Sequence, residues 1–204
     1  MTAPPGPLDA LVADILGRCG YRFTLATDDA ARELAYRLRY DAVIEQGWAR
    51  EADLPAGREC DAYDAGAIHV LCWDDDSAVA TGRLVLPPQP LPTEEVCGFA
   101  IEPRGLVADV GRMSVARHHQ SHRHGVFLAL LARLYLEVQQ QGYETACGLM
   151  SARARSMMRL LGLPVEILAE ERPYWGELRA PVRFRLSGDA VLPGARAHAE
   201  VTPR

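Results

Sequence analysis

Four histidines and three arginines fall within one stretch of the sequence, "ADVGRMSVARHHQSHRHG" at 108–125. Imidazoles bind zinc in proteins, but a zinc site needs three or four ligands held in a fixed frame. The histidines here, His118, His119, His122 and His124, have no neighbouring cysteine and lack the HExxH spacing of helical zinc sites. We therefore predict no metal ion, which leaves a solvated basic loop or a binding site for an anion.

The end of this stretch favours an anion site. It leads into a strongly apolar segment that is predicted to be a helix with its first turn at Gly125 and Val126. The free amides and the positive dipole end of a helix N-terminus attract phosphate, and Arg117, Arg123 and His124 would add positive charge. We expect these residues to bind the phosphate end of a pyrophosphate or phosphopantetheine donor, with the solvated loop as the alternative.

A carboxylate and an arginine precede the basic loop in a segment rich in β-formers. Asp109 and Arg112 lie three residues apart in "LVADVGRMSV" at 106–115. Residues at this spacing on a strand point to opposite faces, so both can line one cleft only if the strand contains a β-bulge. A buried carboxylate is costly without a partner. Asp109 is therefore either paired with an arginine for structural reasons or a base in a cleft.

A cluster of three carboxylates precedes a predicted strand that contains an arginine. The segment "GRECDAYDAG" holds Glu59, Asp61 and Asp64 without the D-x-D-x-D-G spacing of a calcium-binding loop. A solvated turn is the simplest interpretation. Arg83, in the apolar segment "TGRLVLP", needs a partner or a ligand, and the nearby carboxylates are candidates.

The elements that must position these residues follow from the periodicity of apolar residues. The pattern predicts the order β, α, β, β, β, α, β, α, β, β. The predicted strands are 21–27, 67–73, 78–87, 106–115, 144–150, 165–168 and 182–186, and the predicted helices are 30–46, 126–142 and 152–162. The proline-rich segment before strand 106–115 is predicted to have no regular structure. This order favours an α+β domain with a mixed, mainly antiparallel sheet and helices on its faces.

Length and composition indicate one domain with its own core. The 204 residues are 49% hydrophobic, and 27 acidic residues outnumber 22 basic ones, which argues against a nucleic-acid-binding protein. No segment has the roughly 20 apolar residues of a membrane span. Five dispersed cysteines and an N-terminus unlike a signal peptide predict a cytoplasmic protein. We expect an N-terminal helical extension over 1–20, the main domain over 21–190 and a flexible tail over 191–204.

Several segments, taken in order, resemble one group of enzymes. They are "RLRYDAVIEQGW", "ECDAYDAG", "GRLVLP", "ADVGRMSVA", "MRLLGLPVEIL" and "YWGELRAPVRFRL". The chain is similar to the acyl-homoserine-lactone synthases and, more closely in its last segments, to the N-acyl amino acid synthases and exosortase-associated acyltransferases. All belong to the GNAT acyltransferase superfamily. The resemblance implies an α/β/α-layered GNAT fold whose sheet is splayed between its fourth and fifth strands, here 106–115 and 144–149.

The resemblance also assigns roles to individual residues. Asp109 stands where the family usually has the glutamate of E-x-S-R, the proposed base or water-holder for the amine, and Arg112 stands at the arginine of that motif. Asp61 and Asp64 match the family's D-x-Y-D motif. The other matches to the amine site are Arg83 in G-R-L and the pair Arg39 and Trp48 in the N-terminal R…W.

The expected reaction moves an acyl chain from acyl carrier protein to the amine of an amino acid. The donor is an acyl-phosphopantetheine group, with acyl-CoA as an alternative source and no permanently bound cofactor. Backbone N–H groups around Met113, Ser114 and Val115 would stabilise the oxyanion. Three further arginines predict either a basic docking surface for the acidic carrier or a solvated helix face: Arg153, Arg155 and Arg159.

Two other functions stay open on the sequence. One is a homoserine-lactone synthase that uses S-adenosylmethionine. The other is a catalytically inactive GNAT fold that binds acyl carriers or partner proteins.

Overall fold

The computed structural model describes residues 6–119, 125–163 and 165–186. Its helices are α1 (Pro7–Arg18), α2 (Asp29–Glu45), α3 (Pro92–Cys97), α4 (Gly125–Gln140) and α5 (Ala152–Leu160). Its strands are β1 (Arg22–Leu25), β2 (Ile68–Asp74), β3 (Ser77–Val85), β4 (Val107–Val115), β5 (Thr145–Ser151), β6 (Glu166–Ile167), β7 (Arg172–Tyr174) and β8 (Glu177–Arg185). The predicted tail over 191–204 lies outside the described residues.

The strands form one mixed sheet in the order β1-β2-β3-β4-β5-β8-β6, with β7 paired to β8. The pairing of β4 with β5 is parallel, and the other pairings between described strands are antiparallel. A parallel pair needs a long crossover connection, which α4 supplies. The predicted mixed, mainly antiparallel sheet is therefore confirmed.

β4 and β5 pair along only part of their length. Their register ends at the pair of Asp109 with Cys147. The two backbones are close just beyond this pair, because a Cβ atom added to Gly148 would lie 2.6 Å from the carbonyl oxygen of Val110. From there β5 stays paired with β8, and β4 stays paired with β3. The sheet opens into a fork with Asp109 at its base, which confirms the predicted splay.

Helices cover both faces of the sheet. Leu84 of β3 and Ala108 of β4 belong to an apolar core that also contains residues of α4 and α1. Side chains alternate along a strand, so Arg83 points to the opposite face, which α2 covers. The fold thus has three layers, and the sheet separates Arg83 and the other side chains on the α2 face from α4.

The N-terminal helix is part of the folded domain. Helix α1, expected as an extension, packs against α4 and buries Leu8 and Val12 in the core. The hydroxyl of Tyr135 on α4 donates a hydrogen bond to Asp9 at 2.7 Å, which ties the two helices together. Among the described helices, none is long and apolar enough to cross a membrane.

Two elements differ from the sequence-based expectation. The proline-rich segment was expected to be irregular, and this was wrong because it contains α3. Pro92 occupies the first turn of that helix, where a missing N–H is tolerated, and Gly98 ends it with a φ of 77°. The second difference is the hairpin of β7 and β8, of which only the later part of β8 was predicted.

Candidate functional site

A β-bulge in β4 brings Asp109 and Arg112 to the same face of the sheet. Between the pairs that it makes with Arg83 and Thr81, β4 has two residues where β3 has one. Arg112 has a φ of 50°, outside the region that strands occupy. The extra residue directs the Arg112 side chain to the α2 face, and this is the bulge that a shared cleft requires.

Three arginines and three carboxylates form a closed ion network on this face. Its members are Arg39, Arg83, Arg112, Glu59, Asp61 and Asp64. Arg39 of α2 donates two hydrogen bonds to Asp64, at 2.7 and 3.0 Å, and also pairs with Glu59. Both carboxylates follow α2 in the sequence, so the network fastens the loop that carries them to the helix.

The other two arginines extend the network to the sheet. Arg83 donates to Asp61 at 2.6 Å and to Asp64 at 2.7 Å. Arg112 donates to Glu59 at 3.1 Å and to Asp61 at 2.9 Å. Each carboxylate therefore contacts two arginines, and the formal charges of the six groups cancel.

The ion network is largely removed from solvent. Arg39 is 1% exposed, Glu59 2% and Asp64 3%, so the acidic cluster is not the solvated turn that was the simplest interpretation. Burial alone would raise the pKa of Asp64, but the guanidinium groups of Arg39 and Arg83 outweigh this effect and hold the pKa well below its ordinary value. The six groups depend on one another, because removing one ion takes one of two partners from each of its neighbours and leaves a net charge buried in the network.

Asp109 lies outside the ion network, at the base of the fork. It is 3% exposed, and its Oδ2 accepts a hydrogen bond from the backbone N–H of Thr93 at 2.7 Å. Burial raises the pKa of Asp109, and the contact with Thr93 offsets only part of this effect. Within the described part of the chain no arginine forms a salt bridge with Asp109, so the interpretation as a structural ion pair loses its support. A carboxyl group with a raised pKa in a cleft has the character of a general base.

A cavity of about 270 Å³ runs through the fork and reaches both faces of the sheet. The wall on the α2 side is polar and aromatic, and it includes Trp48, Glu59, Arg83, Asp109, Arg112, Tyr174, Trp175 and Arg179. The wall formed by α4, α5 and β5 is apolar, and it includes Phe127, Leu131, Leu149, Met150, Met157 and Met158. We call these walls the polar end and the apolar end. A charged small molecule matches the first and a hydrocarbon chain the second.

Residues 38–132 match the model of a protein family described as an acetyltransferase (GNAT) domain. The matched segment contains the three arginines of the ion network, the bulge, Asp109 and the first half of α4. Together with the forked sheet, this match decides the fold. The chain has the GNAT fold.

Solved structures similar to this GNAT fold include synthases of two kinds. The AHL synthase LasI has a TM-score of 0.69 and 17% identity, over 82% of this chain and 90% of that chain. BjaI, a CoA-dependent acyl-homoserine lactone synthase solved with SAM and isopentyl-CoA, has a TM-score of 0.63 and 21% identity, over 78% and 77%. FeeM, an N-acyl amino acid synthase from uncultured soil microbes, has a TM-score of 0.58 and 15% identity, over 81% and 88%. A sequence comparison with curated proteins gives no match.

The strand residues expected to contact the acyl donor lie where the GNAT fold opens. Met113 and Ser114 line the cavity, and Val115 ends β4. All three lie beyond Asp109, where β4 is no longer paired with β5. At these positions β4 pairs with β3 and not with β5.

The expected phosphate site is only partly described. Gly125 is the first described residue of α4, and Val126 is buried in the core. Arg117 is exposed in a short 3-10 helix between β4 and α4. Arg123 and His124 lie outside the described residues, so their predicted role stays a prediction.

The three arginines of α5 do not form one basic surface. Arg155 donates a hydrogen bond to the carbonyl oxygen of Met150 at 2.7 Å and pairs with Glu171, so it is held within the fold. On a helix of about 3.6 residues per turn, Arg153 lies about 160° around the axis from Arg155. Arg153 and Arg159 are exposed, and the predicted docking role of the α5 arginines stays a prediction.

The hairpin of β7 and β8 contributes site residues that the sequence analysis did not single out. The hydroxyl of Tyr174 accepts a hydrogen bond from Arg112 at 2.7 Å. The ring of Trp48 packs on the hairpin turn, because a Cβ atom added to Gly176 would lie 2.0 Å from it. The Arg179 guanidinium lies 5.0 Å from the centroid of the same ring. The glycine in "YWGELR" was a signal for a turn, but not for the contacts that the turn makes.

The described histidines do not assemble a metal site. Within the described ranges, no group of three or more histidine, cysteine or acidic residues could hold a metal ion. His119 lies 3.6 Å from Asp74 and His118 is exposed in the same short helix. His122 and His124 lie outside the described residues.

Proposed function

We propose that the protein is an N-acyltransferase that moves an acyl chain from the thiol of a phosphopantetheine group to the amine of an amino acid or a similar small amine. The cavity through the fork carries this proposal, because it joins a charged end to an apolar end beside Asp109. An acyl thioester has a hydrocarbon chain and a polar reacting group, and an amino acid is charged. The two ends of the cavity match these two substrates.

The proposed reaction needs one proton acceptor. The neutral amine attacks the thioester carbonyl, so a C–N bond forms and negative charge develops on the carbonyl oxygen. The C–S bond then breaks, the nitrogen loses one proton, and the departing thiolate gains one. We assign the proton transfer to Asp109, directly or through water, because its raised pKa makes it a stronger base than an ordinary aspartate.

The remaining site residues have supporting roles in this proposal. Backbone N–H groups around Met113, Ser114 and Val115 would stabilise the oxyanion, because this part of β4 faces the open fork. The guanidinium of Arg112 is held by three hydrogen bonds and lines the cavity. We assign it to shaping the amine site rather than to moving a proton, since arginine stays charged in proteins.

Acyl carrier protein is our proposed donor. The start of α4 at Gly125 would bind its phosphodiester, and the exposed Arg117, Arg153 and Arg159 would attract its acidic surface. The likeness to BjaI, described as CoA-dependent, supports acyl-CoA as the alternative source of the same group. Turnover with both donors, matched in chain length, tests this choice. Equal rates at low salt would remove the carrier protein from the proposal and leave acyl transfer intact.

A second function has support from the comparisons: a homoserine-lactone synthase that acts on S-adenosylmethionine. LasI and BjaI have higher TM-scores than FeeM, 0.69 and 0.63 against 0.58. The segment "YWGELRAP" resembles the N-acyl amino acid synthases instead. Mass spectrometry of lipid extracts from an expressing host separates the two. We expect open-chain N-acyl amino acids, and extracts that contain only acyl-homoserine lactones would favour the second function.

A further inference from the structure

Arg179 lines the polar end of the cavity and differs from the arginines of the ion network. Arg39, Arg83 and Arg112 each contact two carboxylates of the ion network. Arg179 contacts one carboxylate, that of Glu177, through a single Nη at 2.9 Å. Its Nε is buried and has no hydrogen-bond partner among the described residues. A buried donor without a partner is costly, so the protein's own groups satisfy the Arg179 guanidinium incompletely, and this side chain is a candidate for binding an anion in the cavity.

Aromatic rings hold the Arg179 guanidinium in place. It lies 5.0 Å from the centroid of the Trp48 ring and 5.9 Å from that of Tyr174. These contacts restrict the plane of the guanidinium and favour its positive charge. The Trp48 ring is in turn fixed against the backbone of Gly176, so one turn of the hairpin orients both side chains.

The charge of Arg179 is the least well compensated at this end. Burial lowers the pKa of Arg179, and its contact with Glu177 does not reverse this effect. Burial also acts on Arg39, but its two carboxylate partners outweigh it and raise the pKa of Arg39. A bound anion would supply Arg179 with the compensation that the ion network gives to Arg39.

We propose that the Arg179 guanidinium, which lines the cavity, binds the carboxylate of the acceptor amine and directs the amine toward Asp109. This inference rests on the proposed acyl transfer. A planar carboxylate can pair with a guanidinium through two parallel N–H···O bonds at once, and an amino-acid acceptor carries this group. Arg83 and Arg112 are poorer candidates for this role, because those side chains already pair with the protein's own carboxylates.

The test measures selectivity for the carboxylate. Purified protein and a medium-chain acyl-phosphopantetheine thioester are incubated with each of the twenty common amino acids. The rates of transfer are compared with those to the matching amines that lack the carboxyl group. The wild type is expected to prefer the amino acid in kcat/KM. In Arg179→Gln this preference should fall about 10- to 100-fold, with the KM of the thioester unchanged. Arg179→Lys keeps the positive charge and loses the planar guanidinium. It should therefore retain part of the preference for the amino acid, even if the glutamine variant folds poorly.

Arg172→Gln is the matched control. Arg172 faces Arg179 across the same hairpin, donates to the carbonyl oxygen of Val96 at 2.8 Å and does not line the cavity. It should keep the wild-type preference. Equal transfer to amines with and without a carboxylate, or an equal loss for both in Arg179→Gln, would overturn the role of Arg179 and leave acyl transfer standing. No transfer to any amine would remove both proposals.

Discussion

The two ends of the cavity differ in the interactions that their side chains can make. At the polar end, directional hydrogen bonds from Arg83 and Arg112 to Glu59 and Asp61 tie the cavity wall to the buried ion network. At the apolar end, side chains such as Leu131 and Met157 offer volume and dispersion contacts without fixed directions. The polar end can therefore fix the orientation of an acceptor, whereas the apolar end can only limit the size of a chain.

The largest expected effect is on the stability of the fold, which depends on the ion network beside the polar end. Replacing Arg39 by methionine keeps the length of the side chain but leaves the buried carboxylates of Glu59 and Asp64 with one arginine each and the network with a net negative charge. We expect a loss of about 3–5 kcal/mol in the free energy of unfolding, measured by urea denaturation. The control is Arg37→Met on the same helix, whose partner Glu33 is at the surface. If both variants unfold at the same urea concentration, the ion network does not stabilise the fold as described.

The pH dependence of stability is a second test of the ion network. The pKa of Asp64 is lowered in the folded state, so its contribution to stability is present above the unfolded value of about 3.9. That contribution is lost as the pH falls through the folded-state pKa. Wild-type protein should therefore lose stability in strong acid by more than Arg39→Met does, as followed by circular dichroism.

The next largest effect concerns Asp109, at the junction of the two ends. Asp109→Asn should lower turnover on the order of 10²-fold or more, because the base is removed while its size is kept. The folded-state pKa of Asp109 is raised, so ionisation of this group costs stability as the pH rises through that pKa. The asparagine variant should be at least as stable as wild type at pH 8 in thermal unfolding. Wild-type turnover in this variant would show that Asp109 is structural.

A smaller effect is expected at the apolar end. Leu131 lines both the main cavity and a smaller apolar cavity of about 40 Å³ beneath α1. Leu131→Phe should leave short-chain transfer intact and lower kcat/KM about 4-fold for each methylene that no longer fits. Leu136→Phe on the same helix is the control, because Leu136 lines neither cavity. A uniform loss across all chain lengths would mean that this end does not select by length.

The smallest effect is expected outside the cavity. Arg153→Ala combined with Arg159→Ala should lower kcat/KM with an acyl carrier protein donor about 3- to 10-fold at low salt, and the difference should vanish at high salt. The control removes the same charge from the exposed Arg18 and Arg37, which lie on other helices. An identical loss in both double variants would indicate a general charge effect instead of docking.

The frame of the site could be predicted from the sequence because its signals are local. The apolar periodicity of α4 and its start at Gly125 are visible without tertiary information. The partners of Arg83 were anticipated because an arginine inside an apolar strand needs compensation and an acidic cluster lies nearby. The fork itself was expected from the family resemblance rather than from periodicity.

Other parts of the site depend on distant contacts that periodicity does not report. The bulge at Arg112 is held by Glu59 and Asp61, which lie more than 50 positions earlier. β7 has three residues, too few for an alternation pattern, so the hairpin and Arg179 were missed. Arg155 was expected to be exposed because its contact with Glu171 cannot be read from the helix alone.

The central claim is that an acyl chain crosses from thioester to amine within the fork. The most direct measurement combines purified protein, a medium-chain acyl-phosphopantetheine thioester and the twenty amino acids, with free thiol and N-acyl amide both quantified by mass spectrometry. The account predicts thiol and amide in a one-to-one ratio, and the loss of both in Asp109→Asn. Thiol release without any amide, or no consumption of thioester by the folded protein, would contradict it.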